Sequence, residues 1–176
     1  MMNAVQKVFI GMGSNLNDPI QQLTQACAEI AAVENISLRK VSSLYRNPPL
    51  GPPDQPDYVN AVVEIATSLS PGALLAELQA IEEIHGRVRG GVRWAARPLD
   101  LDILLYGEKV IRSEALTIPH LGLYERAFVL YPLMEIAPDL EVPGHGPLRK
   151  LVRNVDGSSL ENIATIPFFN NNDNET

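Results

Sequence analysis

Apolar and polar residues fall into blocks along the chain, and the blocks differ in period. Residues 8–12, VFIGM, form a short apolar run with strand character. Gly13, Ser14, Asn15 and Asn17 make a turn after it. Asp18 followed by Pro19 marks a helix start, a capping side chain and then a proline whose missing N–H costs nothing at that position. Ile20, Leu23, Ala26, Cys27, Ile30 and Ala31 then recur at helical spacing. A second strand is predicted over 36–45. Residues 47–57, NPPLGPPDQPD, carry five prolines and a glycine and read as a stiff loop. A third strand covers 58–67. Ser70 and Pro71 repeat the cap-and-proline start, opening a helix that ends near His85 with Gly86 as its cap. An arginine-rich loop spans 87–98, and LDLDILLY at 99–106 is a fourth strand, with 109–111 expected to pair with it. Helical turns are expected over 125–136 and 148–152.

The order strand, helix, strand, strand, helix, strand is the split βαβ pattern. It predicts an α/β (α+β) chain of ferredoxin-like fold, with a mostly antiparallel sheet flanked by helices that lie over one face. A length of 176 residues suits one domain, expected over 1–160, with 161–176 a polar, disordered tail. No apolar run reaches the roughly 18–20 residues of a spanning helix. The first residues lack the pattern of a signal peptide, so the expected location is the cytoplasm. Cys27 is the single cysteine and sits in an apolar helical stretch, as a small buried hydrophobe would.

Charge sharpens the picture. A net charge of −7 argues against nucleic-acid binding by bulk electrostatics. Yet Arg87, Arg89, Arg93 and Arg97 cluster in a stretch, 84–99, that contains no acid. Guanidinium forks match phosphate oxygens, so the segment is a candidate anion site. Gly90 and Gly91 give it freedom to open and close.

Asp100 and Asp102 stand immediately after the arginines. Positions two apart on a strand share a face, roughly 6.5–7 Å apart, while Leu99, Leu101 and Ile103 point the other way. Such a pair is a solvated outer face, a pair of oxygen ligands for Mg²⁺, or a general acid and base. Neighbouring arginines favour the metal and a polyphosphate, where catalysis is mostly positioning and charge stabilisation. Tyr58 and Asn60 also share a strand face. They offer a stacking surface and an amide that suits the edge of a flat heterocycle. Trp94 lies inside the polar arginine loop, as a core-edge anchor or as a lid over a planar ligand. His120 follows Pro119 in a loop. The glycines at 11 and 13 belong to neither a Walker A loop nor a full G-x-G-x-x-G.

GSN at 13–15, YRNPPLG at 45–51, DQPDYVN at 54–60, GRVRGGVRWAARPLDLDILLYG at 86–107, IPH at 118–120 and ERAFVLYPLMEIAP at 125–138 together resemble the 6-hydroxymethyl-7,8-dihydropterin pyrophosphokinase family. The likeness runs from residue 8 to about residue 152. It implies a ferredoxin-like monomer that moves pyrophosphate from ATP to the pterin in folate biosynthesis. It further implies two Mg²⁺ ions bound with ATP by Asp100 and Asp102, and Arg87 and Arg97 on the phosphates as AMP leaves. Gln79, Glu82, Arg89, Ile103, Thr117, His120 and Arg126 would surround ATP. The pterin would lie between Tyr58 and Phe128 with Asn60 on its amide edge, Asn47, Pro48 and Leu50 lining its pocket, and Trp94 closing over it. Three positions depart from the family pattern: Asn47 where a threonine is expected, Leu121 where tyrosine or proline is expected, and the pair Gly90–Gly91. Two rivals use the same parts, a phosphotransferase acting on another alcohol and a non-catalytic nucleotide-binding module of the same fold.

Overall fold

The computed structural model describes residues 3–86, 96 and 98–166. Its first strand, β1 (Gln6–Ser14), leads into α1 (Pro19–Ala32). Asp18 caps that helix in a left-handed conformation, its carboxylate accepting from the Gln21 N–H. The chain returns through β2 (Ile36–Val41), β3 (Leu44–Asn47) and β4 (Tyr58–Thr67), and then α2 (Pro71–Ile84), capped by Ser70 on the Ala73 N–H at 3.2 Å. The strand β5 (Asp100–Tyr106) completes the ferredoxin-like unit. Beyond it lie β6 (Ile111–Arg112), β7 (Thr117–Ile118), α3 (Ala127–Ile136), β8 (Glu141–Val142), β9 (Gly146–Pro147), α4 (Leu148–Arg153) and β10 (Glu161–Ala164).

The main sheet runs β10-β3-β4-β1-β5, with β2 also paired to β4, and every pairing is antiparallel. The expected single strand over 36–45 is two strands, because two serines interrupt it. Ser42 Oγ accepts from the Val62 N–H at 2.9 Å, and the Ser43 N–H and hydroxyl both bond to the Glu135 carboxylate. Side-chain hydrogen bonds thus replace ladder bonds at the break. The segment expected to pair with β5 lies slightly later, and β6 pairs with β7 instead.

The helices do not lie over one face. Val8, Ile10 and Met12 of β1 pack with α1 and α2 in one core, while Phe9, Val62, Leu104 and Leu105 pack with α3 and α4 in another. The reason is visible in β4, which carries Val59, Ala61, Val63 and Ile65 on one face and Val62 on the other. A strand apolar on both faces needs cover on both. Leu130 and Leu133 of α3 are fully buried, each worth about 2 kcal/mol by transfer of its side chain from water. The first residues of the expected tail, from 161, belong to the sheet. Glu161–Ala164 is the strand β10 paired to β3, and the sheet therefore extends past residue 160.

One prediction follows from the first core. Cys27 is buried beside Met12, its Sγ 3.9 Å from Sδ, and burial pushes its thiol up to about 12. A raised thiol is neutral in the folded chain below that pH. Stability is therefore untouched up to the ordinary value of 9.0 and falls as pH climbs from there toward about 12, where only the unfolded chain has lost the proton. Native protein at pH 8 should resist iodoacetamide for hours and react at once in denaturant, as read by mass spectrometry. Rapid native labelling would contradict the buried placement.

Candidate active site

The site is a shallow trough across three strands. β1 lies between β4 and β5, and the register opposes Gly13 to Asn60 on one side and to Asp100 on the other. In the next row Gly11 opposes Val62 and Asp102. Tyr58, Asn60, Gly11, Gly13, Asp100 and Asp102 all share the face covered further along by α3. Two strand spacings of roughly 4.8 Å separate the amide from the carboxylates, and glycine leaves the floor between them without a side chain. A Cβ on Gly13 would come within 2.6 Å of Asn60 Oδ1, and one on Gly11 within 3.3 Å of Leu104 Cδ2.

A cavity of about 250 Å³ fills this trough. Asn47, Leu50, Tyr58, Asn60 and Phe128 form its apolar-and-amide end, and Asp100, Asp102, His120 and Arg126 its charged end. Sequence reasoning passed over the two glycines as a failed phosphate loop. Their signal was the same period of two that Y-x-N and D-x-D carry. It also left Asn15 without a role. That side chain donates to Gln55 Oε1 and to the Pro56 carbonyl, both at 3.1 Å, and ties the proline loop to the end of β1.

The charged end is built on a bulge. Phe9 pairs with Leu105 and Ile10 with Ile103, so Leu104 has no partner across β1. The carbonyl of Leu104 accepts the His120 N–H at 3.0 Å, which brings that loop to the aspartates. His120 Nδ1 accepts from the Gly122 N–H at 3.1 Å, leaving Nε2 as the protonated nitrogen, 3.9 Å from Asp102 Oδ1. Burial first, and the Arg126 charge next, hold the His120 pKa below its ordinary value, against the pull of Asp100. At neutral pH it is a neutral hydrogen-bond donor. Arg126 precedes α3, packs its guanidinium against Gly122, and stands 5.9 Å from the centre of the Phe128 ring.

Two carboxylates on one face are hard oxygen donors, and the described residues contain no third acid, histidine or cysteine completing a metal cluster. This donor set fits Mg²⁺, which favours one or two carboxylates with the remaining positions filled by water and ligand oxygens.

The other expected contacts fall elsewhere. Glu82 is buried on α2, where its carboxylate accepts from the Leu101 N–H at 3.1 Å on the edge strand between the two aspartates. Ile103 points into the core beneath α2, opposite the aspartates, so its side chain faces away from the trough. Gln79 on α2 and Thr117 on β7 do not line the cavity, and Pro48 touches it only through Asn47, whose Nδ2 donates to the Pro48 carbonyl. Arg87, Arg89, Gly90, Gly91, Arg93, Trp94 and Arg97 lie outside the described residues.

Comparison with known proteins places the chain among relatives along most of its length. The family model for 7,8-dihydro-6-hydroxymethylpterin-pyrophosphokinase matches residues 9–138. The 2-amino-4-hydroxy-6-hydroxymethyldihydropteridine pyrophosphokinase of Haemophilus influenzae is 53% identical over 145 residues, 82% of this chain and 90% of the relative. The protein of the same name from Pseudomonas aeruginosa is 43% identical over 159 residues, 90% of this chain and 98% of the relative. Among solved structures, Plasmodium falciparum HPPK-DHPS with pteroate has a TM-score of 0.69 at 13% identity, a likeness of fold that covers 88% of this chain and 43% of that one. With most of its length matched by the family model and a relative 53% identical over 145 residues, the chain belongs to the 7,8-dihydro-6-hydroxymethylpterin-pyrophosphokinase family.

Proposed function

We propose that this chain transfers the pyrophosphoryl group of ATP to the hydroxymethyl oxygen of 6-hydroxymethyl-7,8-dihydropterin, giving the pterin diphosphate and AMP as a step of folate biosynthesis. The observation that carries the reading is the single cavity in which an amide-and-aromatic end and a two-carboxylate end face each other across Gly11 and Gly13. A flat heterocycle held by Asn60 between Tyr58 and Phe128 has its substituent directed along the glycine floor toward Asp100 and Asp102.

In the transfer, the pterin oxygen forms a bond to the β-phosphorus of ATP, the bond from that phosphorus to the oxygen bridging to the α-phosphate breaks, and AMP leaves with that oxygen. Asp100 and Asp102 would hold Mg²⁺, two ions by family resemblance, which when bound neutralises charge on the phosphate oxygens. Arg126 adds positive charge at the same end, and neutral His120 offers its Nε2–H to an acceptor beside Asp102. Arg87 and Arg97 are assigned to the phosphates, Arg89 to ATP and Trp94 to covering the pterin. A loose transition state needs little from a general base, and no residue is assigned as one. The same reading makes the protein a cytoplasmic monomer without nucleic-acid or membrane partners. The net charge of −7 speaks against nucleic-acid binding by bulk electrostatics. Among the described residues no helix is long and apolar enough to cross a membrane.

Incubation with ATP, Mg²⁺ and the reduced pterin should release AMP in step with pterin consumption. ADP as the main nucleotide product would defeat pyrophosphoryl transfer, and ATP binding without turnover would leave a nucleotide-binding module.

Asp100→Asn and Asp102→Asn should fold normally, since both side chains face the cavity and that of Asp102 is 40% exposed. Turnover should fall about 10³-fold or more, because charge stabilisation of several kcal/mol is lost at ~1.4 kcal/mol per tenfold. Near-normal rates at ordinary Mg²⁺ would remove the metal assignment.

Gly13→Ala should push Asn60 off its position, given the 2.6 Å approach of the new Cβ to Oδ1. Calorimetry should then show pterin binding weakened by about tenfold, as expected for one lost polar contact, with binding of a non-hydrolysable ATP analogue changed far less. Equal weakening of both ligands would mean that the glycine serves the fold.

A further inference from the structure

Asn47 and Asn60 form a buried amide relay whose direction is fixed from one end. Asn47 is 6% exposed and Asn60 7%. The nitrogen Nδ2 of Asn47 lies 3.1 Å from the Pro48 carbonyl oxygen, which can only accept. The amide of Asn47 is therefore turned so that Oδ1 faces Asn60, and Asn60 Nδ2 donates to it at 2.5 Å. Asn60 is turned in consequence with Oδ1 outward, above Gly13 on the cavity floor. Asn60 and Gly13 both line the cavity, so Oδ1, lying over Gly13, opens to it. Reversing Asn60 would bring its oxygen against Asn47 Oδ1. It would recover only if Asn47 also turned and brought its oxygen against the Pro48 carbonyl.

We infer that Asn47 is a specificity-determining positioning residue: it locks Asn60 as an acceptor toward the 2-position of the heterocycle, so that the site selects a 2-amino group, whose N–H can donate to Asn60 Oδ1, and rejects a 2-oxo group there; the ring N–H beside it is common to both and does not discriminate. The inference rests on the pterin reading of the cavity and deepens it. A pterin carries a 2-amino group and an adjacent ring N–H, whereas the corresponding lumazine carries a 2-oxo group in place of the amine.

The test is the ratio of affinities for 6-hydroxymethylpterin and 6-hydroxymethyl-lumazine, measured by calorimetry with a non-hydrolysable ATP analogue and Mg²⁺ present. The native protein should prefer the pterin by at least tenfold. Asn47→Leu removes the acceptor, frees Asn60 to turn, and should cut that preference about tenfold. Asn47→Asp keeps an acceptor in place and should hold the preference near the native ratio even if both affinities drop. A merely structural role would weaken both ligands alike and leave the ratio unchanged in all variants. If Asn47→Leu does not fold, Asn47→Ser, whose hydroxyl is too short to reach, carries the same expectation. In the ligand-free protein, the Asn60 side-chain amide protons should exchange slowly with solvent, and quickly in Asn47→Leu. An unchanged ratio in Asn47→Leu overturns the inference. Failure of the native protein to bind either heterocycle would strike the pterin reading instead, and the relay is then decided by amide exchange alone, unprotected Asn60 protons overturning it.

Discussion

The pairing of Gly13 with Asn60 on one side and Asp100 on the other is the constraint on which the site depends. Three dipeptide-spaced pairs, Tyr58 with Asn60, Gly11 with Gly13, and Asp100 with Asp102, lie on three adjacent strands. A strand shows its residues to alternate faces, so slipping either pairing by one residue would turn one pair to the opposite core. In the observed register the polar groups flank a floor that has no side chains. The amide-and-aromatic end and the two-carboxylate end of the cavity are thereby held apart by backbone hydrogen bonds between strands, which place side chains more closely than loops do.

The surroundings hold that register in place. On the α2 side, Glu82 accepts the outward N–H of Leu101 and so fixes the edge strand between the two aspartates. At the far end of the trough, the Leu104 bulge turns a carbonyl toward His120 and brings a neutral donor to the aspartate pair. Asn15 anchors the proline loop, which in turn sets Leu50 and Gly51 along the cavity. Each of these is a buried polar group with a named partner, as the cost of an unmet hydrogen bond demands. The second apolar layer, α3, adds Phe128 and the neighbouring Arg126, so the element that closes the core also forms one wall of the site.

Electrostatics divide the cavity in the same way. Asp100, Asp102 and Arg126 concentrate charge at one end, and the described residues lining the other, among them Asn47, Leu50, Tyr58, Asn60 and Phe128, are uncharged. His120 stays uncharged because burial and Arg126 outweigh the pull of Asp100. Proton-donor geometry is thus offered without adding a further titrating charge beside the carboxylates.

Much of this was written in local sequence. Asp18–Pro19 and Ser70–Pro71 set two helix starts, because capping and a proline's fixed φ act within a turn. The strand at 58–67 was legible as an apolar run bounded by a proline-rich loop and a helix cap, the face shared by Asp100 and Asp102 followed from period two, and the joint motifs carried the family. What remained hidden depended on long-range contact. The break at Ser42 and Ser43 arises from Val62 and Glu135, residues distant in the chain. The strand β10 is four residues long, with two exposed polar residues followed by Ile163 and Ala164, too short for a periodicity to announce it, and it forms where β3 offers it an edge. Nothing local says that Glu82 turns to a backbone N–H, or that Asn47 directs Asn60. The sequence by itself determined which residue types face together and which family they form. Tertiary structure decided which strands stand side by side, and with that the floor of the trough and the direction of its amides, because register and hydrogen-bond partnership are properties of pairs that no single segment contains.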